Sequence, residues 1–225
     1  MRICLSAGSP PRQSERRLDT ISYVLLKAKA RTSQNRYHHG DLRRAILKSA
    51  LELINESGIE KLSLREVARA LGVTTAAPYH HFKDREALLV QIAIQGYEQL
   101  LKNLEEARIA TKAAQTELEA ESRAYLSFAH ENAALYAVMF SSEVAGKDEY
   151  PELRQTADRC FHLVCTSVAK DAELSKKRVP RAALCVWSML HGLAILDRSN
   201  FLEEDRAEQG RIAVEGVLSI VKGFR

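Results

Sequence analysis

Apolar residues recur every three to four positions over most of the chain after Tyr37, which is the period of an amphipathic helix. Predicted helices cover 41–57, 63–71, 75–82, a longer stretch that follows Asp84, about 117–140 with a break near Asn132, about 152–174, 180–198 and about 207–222. Between Gly146 and Pro151 the residue types indicate a loop. No pair of alternating apolar runs flanks a hairpin turn, so we expect an all-α fold.

The ends of the short helices carry local signals. Ser63 followed by Glu66 forms a capping box, and Gly72 is suited to end the helix that they open. Thr74 can cap the next helix, and Asp84 can cap the long one. Two short helices that are joined by the turn 72–74, with an apolar helix before them, are typical of a helix-turn-helix.

The second helix of this pair has a surface suited to the major groove of duplex DNA. The methyl groups of Thr75 and Ala76 can contact a thymine methyl, and Tyr79 and His80 can bond base edges or phosphates. The expected DNA-contacting residues are Ser63, Arg65, Thr74, Thr75, Ala76, Tyr79, His80, His81 and Arg85. On spacing alone, an ordinary three-helix bundle with incidental polar residues is the alternative.

Net charge divides the chain into three parts. It is +6 over residues 1–36, zero over 37–101 and −2 over 102–225. We interpret 1–36 as a basic, disordered arm, or as the product of a start codon assigned too early. Residues 37–101 then form the helix-turn-helix domain with its connecting helix, and 102–225 a larger helical domain. Because the globular part is not basic overall, DNA binding must depend on where its charges lie.

Membrane and secreted proteins do not fit the sequence. No segment reaches about 18 uncharged apolar residues, and the first residues lack the apolar core of a signal peptide. Cysteines are sparse, as is typical of reduced intracellular proteins; they are Cys4, Cys160, Cys165 and Cys185. We therefore expect a cytoplasmic protein with no membrane partner. Redox sensing by Cys160 and Cys165 is an alternative that the spacing leaves open.

Catalytic motifs are also missing from the sequence. It contains no nucleophile–base motif, phosphate-binding loop or metal-ligand spacing, so we expect a non-enzyme without a cofactor or metal. The pair His80-His81 does not suggest a metal site, because neighbouring residues on a helix face different ways. An enzyme with an all-helical active site and an interaction scaffold that no longer binds DNA are the competing hypotheses.

The two C-terminal helices carry more apolar surface than one domain can cover. Helix 180–198 is apolar on nearly every face, and helix 207–222 on more than one. We infer an isologous homodimer in which these helices pack against their copies. A two-fold dimer in turn predicts an inverted-repeat DNA site.

Three stretches resemble the N-terminal domain of TetR-family regulators, over roughly residues 38–90. They read Tyr37-His-His-Gly-Asp-Leu, Leu62-Ser-Leu-Arg-Glu-Val-Ala-Arg-Ala-Leu-Gly-Val and Ala77-Pro-Tyr-His-His-Phe-Lys-Asp-Arg-Glu-Ala-Leu. Pro78 replaces a leucine that is usual in the family, but Ala-Pro-Tyr, with Trp187-x-x-x-His-Gly, resembles one subgroup. The resemblance implies base contacts from Arg65, Thr75, Ala76, Tyr79 and His80, and phosphate contacts from Ser63, His81 and Arg85.

The same resemblance implies a small-molecule effector that binds inside the C-terminal domain and releases DNA. Repression is the usual mode of the family, and activation stays open. Candidate lining residues are Tyr125, Phe128, Tyr136, Met139, Phe140, Phe161, Trp187 and His191. An aromatic set of this kind also suits an ordinary packed core.

Overall fold

The computed structural model describes residues 39–111, 115–144, 149–172, 174–199, 201–203 and 205–225. Its helices are α1 His39–Ser57, α2 Leu64–Leu71, α3 Arg85–Ile109, α4 Glu117–Glu131, α5 Ala133–Met139, α6 Pro151–Ala172, α7 Val179–Arg198 and α8 Arg206–Gly223. Two short 3₁₀ turns, Ile59–Lys61 and Ala77–His80, lie between the first three helices. No strand occurs in the described ranges, and the all-α prediction is confirmed. The predicted arm 1–36 and positions 146–148 of the predicted loop lie outside them.

Residues 45–225 form one compact unit, to which α1 contributes an apolar face. This face buries Ile46, Leu47, Ala50 and Ile54. These residues share one face of the helix, as the apolar period predicts.

The ends of α2 and the start of α3 follow the predicted local signals. Ser63 Oγ accepts the Glu66 N–H at 3.2 Å, and Gly72 ends α2 in the left-handed region with φ +65°. Asp84 Oδ1 accepts the Ala87 N–H at 2.8 Å, which caps α3. Each cap satisfies an N–H or carbonyl that the helix itself leaves unpaired.

The predicted helix 75–82 is wrong, because the structure has only the 3₁₀ turn Ala77–His80 there. Pro78 has no N–H, so the Thr74 carbonyl cannot form the α-helical bond and instead accepts the Ala77 N–H at 3.0 Å. Thr74 therefore does not cap this element either. Ala76 occupies the position before it and makes no side-chain capping bond.

α3 packs against α4, α5 and α6. Gly96 of α3 permits close contact, since a Cβ there would lie 2.5 Å from Met139 Sδ on α5. Asn132 separates α4 from α5, which matches the predicted break. α7 and α8 pack together and against α4. α7 is long and apolar enough to cross a membrane, a property that core helices of soluble proteins share.

Candidate functional site

The 3₁₀ turn and the residues before it present their polar side chains to solvent. The exposed residues of this segment are Thr74, Thr75, Ala76, Tyr79 and His80. Tyr79 is 48% exposed, whereas Pro78 and Phe82 are buried beneath the turn. The segment therefore has a hydrogen-bonding outer surface and an apolar underside that fixes it to the domain.

α2 packs against this turn and adds positive charge to its solvent side. Arg65 and Arg69 are both exposed, and their spacing of four residues puts them on one face of α2. Arg69 is not among the predicted DNA-contacting residues, although its spacing of four from Arg65 could have identified it. Ser63 and His81 are half-buried, and both already make contacts within the chain.

Arg85 is placed differently from the other predicted DNA contacts. Its guanidinium donates to the carbonyl oxygens of Leu62 and Ile59, and forms an ion pair with both carboxylate oxygens of Glu143. The hydrogen bond to Glu143, chiefly, raises the pKa of Arg85. The structure thus engages Arg85 inside the protein, while Arg65 faces solvent.

Seven of the predicted effector-lining residues form one aromatic cluster in the C-terminal half. Its members are Tyr125, Phe128, Tyr136, Phe140, Phe161, Trp187 and His191. Ring centroids lie 4.7 Å apart for Tyr136 and Phe140, and 4.4 Å apart for Phe140 and His191. The eighth residue, Met139, is buried beside Gly96, and its carbonyl accepts from the Tyr97 hydroxyl at 3.4 Å.

A chain of hydrogen bonds runs through the aromatic cluster. The Tyr125 hydroxyl lies 2.9 Å from the Tyr136 hydroxyl, which lies 2.6 Å from His191 Nδ1. Burial lowers the pKa of His191, so its imidazole is neutral at pH 7, and Nδ1 can accept when Nε2 carries the proton. Burial also raises the pKa of Tyr136 to about 12, so this hydroxyl keeps its proton and donates. All three polar groups are thereby satisfied within a largely buried site.

A cleft of about 1210 Å³ lies between α3 and α6. Of the cluster residues, Phe161 alone lines it, together with charged residues that include Arg108, Arg154 and Arg159. Across the part of the chain that the structure describes, no group of three or more His, Cys, Asp or Glu side chains is placed to hold a metal ion.

Comparison with known proteins matches two segments of the chain to models of one family. Residues 46–92 match the family described as bacterial regulatory proteins, tetR family, and residues 118–217 match the tetracyclin repressor-like C-terminal domain. The chain belongs to the TetR family. The N-terminal match contains every predicted DNA-contacting residue of this TetR-family protein, and the C-terminal match contains the whole aromatic cluster. Membership makes it a DNA-binding transcriptional regulator, and the predicted subgroup remains a prediction.

Individual relatives of this TetR-family protein agree with that assignment. A tetracycline repressor of class C from Escherichia coli is 47% identical over 51 residues, 23% of each chain. A protein of unknown function from Rhodococcus sp. RHA1 is 28% identical and matches with a TM-score of 0.70, covering 84% of this chain and 98% of that one. The TetR-family regulator PfmR from Thermus thermophilus, 23% identical, has the same fold with a TM-score of 0.62, covering 80% and 98%. The chain thus aligns with less than a quarter of the tetracycline repressor, but with nearly all of both solved structures.

Proposed function

We propose that the protein is a cytoplasmic, homodimeric repressor that binds an inverted-repeat DNA site and leaves it when a small-molecule effector binds. The observation that carries this proposal is the exposed segment 74–80, whose polar side chains face solvent above buried Pro78 and Phe82. Such a segment can enter the major groove without unfolding any part of the domain.

The proposed contacts follow from the chemistry of the exposed groups. Thr75 and Ala76 supply methyl groups for thymine, while Tyr79 and His80 supply hydrogen bonds to base edges. Arg65 can bond a guanine edge or a phosphate. Contacts with the phosphate backbone of DNA are proposed for three residues that lie near these in the sequence, Ser63, Thr74 and His81.

The proposed dimer is supported by an uncovered apolar face on α7. Leu184 is 57% exposed and Ile195 is 45% exposed, and their spacing of eleven residues puts them on one side of the helix. A second copy of the same face covers these side chains most simply, because an isologous interface is self-complementary. The resulting two-fold symmetry presents two copies of segment 74–80 to the two halves of an inverted repeat.

The proposed effector site is the aromatic cluster, with access from the cleft that shares Phe161 with it. An effector that binds more tightly to the DNA-free form must weaken DNA binding by the same factor by which DNA weakens effector binding. The cluster is suited to such a role because α5, which carries Tyr136, packs directly against α3.

DNA binding is tested by selecting duplexes from a random library with the full-length wild-type protein, followed by titration of the selected duplex. Tyr79→Phe removes one hydroxyl, and Arg65→Ala removes one exposed cation. Each substitution should cost about 1–3 kcal/mol, and should relax specificity where a base contact is lost. Lys177→Ala, which removes an exposed cation from the loop before α7, is the control and should leave affinity unchanged. Failure of the wild type to enrich any sequence, or wild-type affinity in both variants, would contradict the proposal.

A further inference from the structure

Arg85 makes more hydrogen bonds than a residue held ready for a phosphate needs. Its Nε donates to Leu62 O at 2.9 Å, and its Nη2 donates both to Ile59 O at 2.6 Å and to Glu143 Oε1 at 3.0 Å. Nη1 donates to Glu143 Oε2. Four of the five guanidinium N–H groups are therefore engaged within the chain.

These bonds join three parts of the protein that lie far apart in sequence. Ile59 and Leu62 lie directly before α2, and Arg85 is the first residue of α3. Glu143 lies 58 residues further on, in the segment 141–144 that follows α5. Tyr150, the residue before α6, makes a second contact with the residues next to Arg85. Lys83 Nζ lies 5.5 Å from the centre of the Tyr150 ring.

We infer that Arg85 and Glu143 form a clamp that fixes the helix-turn-helix relative to the C-terminal helices, so that Arg85 positions the DNA-reading segment and does not bind a phosphate. This inference depends on the proposed DNA-binding function. The planar guanidinium suits the role, since its fork matches a carboxylate with two parallel bonds and leaves Nε for a carbonyl. Both side chains are about two-thirds buried, which protects the pair from solvent screening.

The clamp also connects the helix-turn-helix with the aromatic cluster. Glu143 lies only three residues after Phe140, which contacts both Tyr136 and His191. The intervening backbone is held against α3 by the close approach of Met139 to Gly96 and by the hydrogen bond from the Tyr97 hydroxyl. A shift of the α5 end that accompanies repacking of the cluster is therefore passed to Glu143, and through Arg85 to Ile59 and Leu62.

The two possible roles of Arg85 predict opposite effects for a change at Glu143. If Arg85 binds a phosphate, Glu143→Ala removes a competing carboxylate, and DNA binding should stay the same or become tighter. If Arg85 acts as a clamp, the same change frees the helix-turn-helix, whose orientation must then be fixed on binding at an entropic cost. We expect Glu143→Ala to weaken binding of the selected duplex about tenfold, which lies within the range for residues that interact directly.

The experiment compares the full-length wild type, Arg85→Ala, Glu143→Ala and the double variant. If Arg85 and Glu143 form a clamp, the double variant should bind DNA no more weakly than Arg85→Ala. The salt dependence of binding should then be the same in all four proteins. A phosphate contact instead lowers the salt slope of Arg85→Ala by about one. Glu149→Ala, an exposed acid on the same connection, is the charge-matched control and should leave affinity unchanged. Unchanged or tighter binding by Glu143→Ala, or the lowered slope, overturns the inference.

A second measurement needs no DNA and separates failure of the clamp from failure of the proposed function. Chemical denaturation of the same four proteins gives the free energy of unfolding of each. The two single losses should sum to more than the loss in the double variant, because either substitution breaks the same pair. If the losses of unfolding free energy in the two single variants add up to the loss in the double variant, the clamp is overturned even if the protein binds DNA. If the two substitutions are strongly coupled but no duplex is selected, only the DNA-binding proposal is overturned.

Discussion

Glu121 is an acidic side chain in an apolar position of α4. It is 2% exposed, one carboxyl oxygen accepts from Ser167 Oγ at 2.6 Å, and the other oxygen has no hydrogen-bond partner among the described residues. Burial raises the pKa of Glu121 from 4.5 to about 7. The folded protein therefore holds a proton on Glu121 at pH values at which the unfolded chain has lost it.

This difference makes part of the folding stability depend on pH. Between about pH 4.5 and about pH 7, the native state binds one more proton than the unfolded state, so stability falls as pH rises through that window. Glu121→Gln keeps an acceptor for Ser167 and removes the titration. We expect the variant to gain stability relative to the wild type as pH rises to 8, and to show little difference at pH 4.5. Thermal unfolding at a series of pH values measures this, with Glu119→Gln, a less buried acid of α4, as the control; parallel pH profiles for wild type and Glu121→Gln would contradict it.

At the residue scale, the sequence predicts which side chains are exposed better than it predicts which residues they bond. Tyr79 and His80 are exposed as their polar types indicate, since residue type is a local property. The engagement of Arg85 is not predictable in this way. Its partner Glu143 is 58 residues away, and only the packing of α5 on α3 brings the two together.

At the scale of elements, helix ends follow the sequence where a short-range interaction decides them. Ser63, Gly72 and Asp84 end or begin helices through bonds and backbone angles that involve four or fewer neighbours. The 3₁₀ turn 77–80 does not follow the sequence pattern, because its apolar spacing is that of a helix while Pro78 removes the bond that an α-helix requires there.

Gly72, which ends α2, has a backbone conformation that side chains disfavour. Its φ of +65° is left-handed, and a Cβ there would meet nothing within 4 Å, so any cost of substitution comes from the backbone alone. Gly72→Ala should lower the free energy of unfolding by about 1 kcal/mol, and Gly72→Asn by clearly less, because Asn tolerates this region. Chemical denaturation at one protein concentration measures both. Equal losses for Ala and Asn would show that something other than the backbone angle decides the cost.

At the scale of the whole molecule, the apolar face of α7 is the feature that a single chain does not explain. Leu184→Glu and Ile195→Glu place a charge on this face, and burial of that charge against a second copy should weaken dimerisation by at least about 2 kcal/mol. Sedimentation equilibrium should then show monomers at concentrations at which the wild type is dimeric.

Ile109→Glu is the matched control for these dimer variants. Ile109 is 85% exposed and is the last residue of α3, a different helix from α7, so the substitution should leave the association state unchanged. Dimers of undiminished stability in both α7 variants would show that this face is not the interface.

If the turn 77–80 contacts DNA as proposed, its construction affects how recognition can change in evolution. One turn of 3₁₀ helix has few hydrogen bonds of its own, so we expect its tilt to depend on Pro78 and Phe82, which are buried beneath it. Conservative exchanges at these two hidden positions can therefore retune operator preference while every nucleotide-facing side chain stays as it is. Divergence of sequence preference among close descendants should accordingly be sought in the interior as well as at the surface.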